Sequence, residues 1–130
     1  MEYCFTRNFD NTTFEKLVAG TKKALELEGF GVLTEIDLQQ AFKEKLKVNF
    51  KKYQILGACN PRFAHQALKA EEHIGVFLPC NIVIAESDKQ DSFTVSVVNP
   101  IASMMAVENE ALVSIADEIS SKLKWVLKSI

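Results

Sequence analysis

The sequence has little of what usually announces a function. No apolar run approaches the roughly 20 residues needed to span a bilayer. No basic segment followed by an apolar one opens the chain. The expectation is a cytoplasmic protein with no membrane partner. Only 3 prolines and 5 glycines occur in 130 residues, which excludes fibrous and low-complexity classes. The 3 cysteines are an odd number, and in a cytoplasmic chain they read as free thiols rather than as a disulfide framework. Charge of neither sign gathers into a block, and the net charge is −2. The most basic stretch, Lys43 to Lys52, is interrupted by Glu44 and Phe50, so no nucleic-acid partner is expected. A glycine-rich phosphate loop, a G-x-S-x-G elbow and CxxC or HxxxH spacings are all missing. Catalysis therefore has no motif behind it, and no cofactor is named.

What is present is enough for one domain over residues 1–130, with 48% hydrophobic residues to fill a core. Residues 2–9 alternate, with Tyr3, Phe5, Arg7 and Phe9 on one face, as in a half-buried strand. Thr12 and Glu15 have the spacing of a capping box. Phe14, Leu17, Val18, Thr21, Ala24 and Leu25 then recur at helical spacing up to Gly29, a C′ glycine. A strand from Phe30 to Ile36 ends at Asp37, which caps a short helix through Leu46. Tyr53 to Ala58 is a strand bounded by Gly57. Asn60 and Pro61 open a helix to about residue 71, with Gly75 just past it. Ile82 to Ala85 is apolar on both faces, as a central strand is, and forms a hairpin with Phe93 to Val97. Residues 101–107 have no clear period. From Glu108 a stripe of Leu112, Ile115, Ala116, Ile119, Leu123, Val126 and Ile130 marks a long amphipathic helix. The fold class is α+β: one sheet of about five strands, with helices packed mainly on one face.

The stretch richest in chemistry is Tyr53-Gln-Ile-Leu-Gly-Ala-Cys-Asn-Pro61, echoed by Leu78-Pro-Cys-Asn81. Cys59 stands one residue before a helix N-cap, where the helix dipole favours a thiolate. If the strands ending at Cys59 and beginning at Cys80 are antiparallel neighbours, the two thiols can meet; joined by a parallel crossover, they lie a strand length apart. Cys59, Asn60, Pro61 and Cys80 are the candidate ligand-binding residues, and Cys59 with Cys80 the candidate pair for Cu(I) or Zn. The plain alternative is that both cysteines are small core residues. His65 and His73 read as exposed, and Met104 and Met105 as core gap-fillers.

The chain resembles the domain-of-unknown-function 302 family (DUF302) of bacteria and archaea. The likeness rests on Gly29-Phe30 leading into Glu35-Ile36-Asp37, on Tyr53-x-Ile-Leu-Gly-Ala-Cys-Asn-Pro61, on Ala67-Leu68, on Leu78-Pro79-Cys80, and on Asn99-Pro100 followed by Met104. The family pattern usually has Asp where this chain has Asn99. The resemblance implies a single α+β domain that forms homodimers, and it carries no activity. The expected function is a non-enzymatic homodimeric module binding a small ligand or a partner near Cys59, Asn60 and Cys80. The alternatives are a thiol-dependent redox protein or enzyme using Cys59, and a Cu(I)- or Zn-binding protein using both cysteines.

Overall fold

The alternation before Asp10 and the helical spacing after Phe14 are both realised in the computed structural model, which describes residues 1–130. In chain order the elements are β1 (Cys4–Asp10), α1 (Phe14–Leu27), β2 (Gly31–Asp37), α2 (Leu38–Leu46), β3 (Tyr53–Cys59), α3 (Pro61–Ala70), β4 (Cys80–Glu86), β5 (Ser92–Val98), α4 (Pro100–Ser103) and α5 (Glu110–Ser129). The strands form one antiparallel sheet in the order β1-β5-β4-β3-β2. β4 is the middle strand, as its two-sided apolar character requires.

Local chemistry sets the boundaries. Thr13, not Thr12, caps α1 by accepting from the Lys16 N–H at 3.2 Å. Glu15 is then the second helical residue, one short of the position a capping box needs. Its own backbone N–H, then nearby Lys52, hold its carboxyl below the ordinary value. Gly29 takes φ 86° and closes α1, with bonds from its N–H to Glu26 O and from the Phe30 N–H to Leu25 O. Asp37 caps α2 through the Gln40 N–H at 3.0 Å. α3 stops at Ala70, and Gly75 lies within a 3₁₀ turn, Glu72–Phe77, that the periodicity did not reveal. α5 begins at Glu110 with Asn109 as its cap, so Glu108 falls outside it.

Leu56 and Ala58 of β3, Ile82 and Ile84 of β4, and Val95 and Val97 of β5 point to one face. They form one buried cluster with Leu17, Ala24 and Leu25 of α1, Phe63 and Ala67 of α3, and the stripe of α5 from Leu112 to Leu127. The expected stripe on the last helix therefore covers the sheet. Arg7, on the same face of edge strand β1, donates to Leu127 O at 2.9 Å and Lys128 O at 3.1 Å, binding the unpaired carbonyls at the end of α5. No helix is long and apolar enough to cross a membrane.

Candidate functional site

Antiparallel pairing of β3 with β4 answers the question the sequence left open. Ala58 stands opposite Cys80, so Cys59 lies one ladder step from the second cysteine and, by strand alternation, on the other face of the sheet. All three cysteines are free; Cys80 is buried, and Cys4 and Cys59 are half-buried. Burial pushes the Cys80 thiol up to about 11, and the nearby Cys59 adds to the shift. Cys80 is thus a neutral thiol at physiological pH.

Asn60 occupies the N-cap position of α3 ahead of Pro61, but its side chain makes no capping bond. Its amide donates instead to Glu28 O at 3.2 Å, fastening the end of α1 to the start of α3. A Cβ at Gly29 would come within 3.3 Å of that amide nitrogen. The positive φ and this close approach together favour glycine there.

Between Cys59, Cys80, Phe30, Phe63, Leu78 and Met104 lies a gap of only about 10 Å³. That is at or below the room one water needs. On the other side of Cys80 the surface opens into a cleft of about 200 Å³ bordered by Val76, Phe77, Leu78, Asn81 and Met104. Cys80, Pro79, Leu78 and Met104 border both spaces. Val76 is 80% exposed, an apolar rim left in water.

The other soft donors do not converge. His65 and His73 are exposed, on α3 and on the 3₁₀ turn. Met104 is buried, but Met105 is 66% exposed, so only the first fills the core. No group of three or more His, Cys, Asp or Glu side chains is arranged to hold a metal ion. A larger groove of about 530 Å³, which the sequence did not flag, runs between α1 and the start of β3. Phe14 and Val18 lie along it, and Lys22 and Lys52 stand beside it. Each lysine is already paired, Lys22 with Glu35 at 2.8 Å and Lys52 with Glu15 at 3.5 Å. The signal for it is the polar trio Glu35, Asp37 and Gln54, on the sheet face that the helices otherwise cover.

Comparison with known proteins agrees with this architecture. A crystal structure of an uncharacterized conserved DUF302 protein from Bacillus stearothermophilus matches with a TM-score of 0.90 at 25% identity, over 99% of this chain and 98% of that one. No curated protein sequence matches significantly. The family profile described as "Domain of unknown function DUF302" matches residues 5–130, and the chain belongs to that family.

Proposed function

We propose that this protein is a non-enzymatic, homodimeric, cytoplasmic binding module that takes a small apolar ligand or a partner side chain at the Cys59, Asn60, Pro61 and Cys80 end of the sheet. The observation that carries this reading is the cleft of about 200 Å³ beside Cys80, bordered by Val76, Phe77 and Met104. An apolar wall with one neutral thiol and the Asn81 amide suits an uncharged or weakly polar group. The test is a titration of isotopically labelled protein with benzene and indole, followed by amide chemical shifts. Shifts concentrated at Cys59, Cys80, Asn81 and Met104 are expected. Unmoved amides there, at concentrations that move others, would overturn the site.

The nearness of Cys59 that adds to the upward shift of the Cys80 thiol favours a second reading, a thiol-dependent protein or a two-thiol Cu(I) or Zn holder. It requires Cys59 to be alkylated by iodoacetamide faster than Cys80 at neutral pH, or Cu(I) binding that Cys80→Ser abolishes. Neither occurring would remove it and leave the cysteines as packing residues.

A further inference from the structure

Helices α1, α3 and α5 all pack on one face of the sheet, and on the opposite face α2 reaches only the corner at Tyr53 and Ala85, through Phe42 and Phe50. Its middle row runs Ile36, Ile55, Val83, Ser96 and Thr6 across all five strands. Ile36 is 46% exposed; Ile55, Val83 and Ser96 are half-buried. In a chain of which 25% is charged, this face carries one charge, Asp10 at the far corner of β1, and every other outward strand position is uncharged. The sheet's other charges, Arg7, Glu35, Asp37 and Glu86, all fall on the helix side. A sheet face that meets water ordinarily alternates core residues with polar and charged ones. Depletion of charge marks the centre of an interface.

We infer that this face is where a second copy of the chain docks, sheet against sheet. The inference rests on the homodimer proposed above and names its contact surface. A second copy fits better than another partner because a two-fold contact sets each patch against itself. Any charge near the axis would meet its own like, and a charge-seeking partner would find nothing to pair with. Five strands about 4.8 Å apart and seven residues long give a flat footprint of about 550 Å². Side chains corrugate that area, and an aromatic edge extends it. Tyr53, on this face, stacks with Phe50 at 6.1 Å, and Phe50 with Phe42 of α2 at 5.2 Å. A footprint of this size is of the same order as the roughly 800 Å² of accessible surface that each partner of a stable dimer contributes.

The experiment is sedimentation equilibrium of the full chain and of Val83→Lys and Ser96→Lys, with Val113→Lys, on the exposed side of α5, as control. Circular dichroism checks that each variant keeps its fold. Wild type and Val113→Lys are expected to be dimers. Both face variants are expected to associate at least about a hundredfold more weakly, because an unpaired ammonium would be buried at the contact. If wild type is a dimer and a folded face variant associates equally well, the surface is wrong while the homodimer stands. A wild-type monomer at every concentration would overturn both and leave the face to a different occupant.

Discussion

Replacing Gly57 with alanine tests the packing that holds the candidate site. Gly57 was expected to bound β3, but it lies inside the strand, opposite Thr34 on β2 and Asn81 on β4. In a strand, alanine is ordinarily better than glycine by about 0.5–1 kcal/mol, because it loses less backbone entropy on folding. Here a Cβ would fall inside the contact envelope of Thr34 Oγ1 and only 2.8 Å from Pro79 Cγ. The hydroxyl can rotate away. The proline ring cannot, and it is joined to Cys80, so relief means moving the start of β4. Overpacking of this kind costs about 1–3 kcal/mol, which outweighs the intrinsic gain. Gly57→Ala should therefore be destabilised by about 1–2 kcal/mol. In a Thr34→Ala background the loss should shrink by at least about 0.5 kcal/mol, since the remaining Thr34 Cβ stands at an ordinary 3.6 Å. Urea denaturation of the four proteins at one fixed concentration measures both numbers. A neutral or stabilised Gly57→Ala would refute the reasoning, and full additivity with Thr34→Ala would refute the role of Thr34.

Other outcomes follow from named groups. Because burial raises the Cys80 thiol from 9.0 to about 11, the unfolded chain loses that proton first. Stability should fall as pH rises from 9.0 to about 11, by about 2–3 kcal/mol in all, and Cys80→Ala should lose that part of the slope in alkaline urea titrations; an unchanged slope would contradict it. Asn99→Asp keeps an acceptor for the Ile101 N–H but deletes the donor to Glu2 O at 2.8 Å, in a residue 5% exposed. It should cost about 1–3 kcal/mol of unfolding free energy, and a cost below about 0.5 would mean that the bond is dispensable. Ile115→Asp and Ile119→Asp, on the buried stripe of α5, should each cost about 3–5 kcal/mol in the same assay; losses under about 1 would show that the stripe is not core.

The parts of this fold legible in the sequence are those decided within a few residues. The stripe of α5, the β4–β5 hairpin, the Gly29 stop and the Asp37 cap depend on neighbours at i+2 to i+5, and each stands where the pattern put it. The misses are decided at longer range, or by competition between equals. Thr12 and Thr13 are chemically alike, and the geometry of entering α1 chose the second. The approach of Cys59 to Cys80 depended on whether β3 and β4 run antiparallel, which no local signal carries. Met105 has the same side chain as Met104 but faces outward, because the turn after α4 presents only one of the pair to the core.

The asparagines that open helices show why local and distant roles had to be read separately. Asn60, Asn99 and Asn109 each stand at an N-cap, which sequence suggests for the first and permits for the others. A cap needs only a side-chain oxygen, and aspartate supplies one equally well. What aspartate lacks is the amide donor, and all three residues use it on a distant carbonyl: Glu28 O, Glu2 O and Ala70 O. These bonds tie the end of α1 to α3, the lead into β1 to the β5–α4 junction, and the end of α3 to the start of α5. Asn99 is thus a buried residue that serves as cap and tether without carrying a charge into the core. Two of the three tethers flank the gap that Cys59 and Cys80 border and the cleft beside Cys80, Asn60 next to Cys59 and Asn99 next to the cleft residue Pro100. The cleft walls are therefore held by neutral donors, and the only ionisable groups lining the cleft and the adjoining gap are the two thiols.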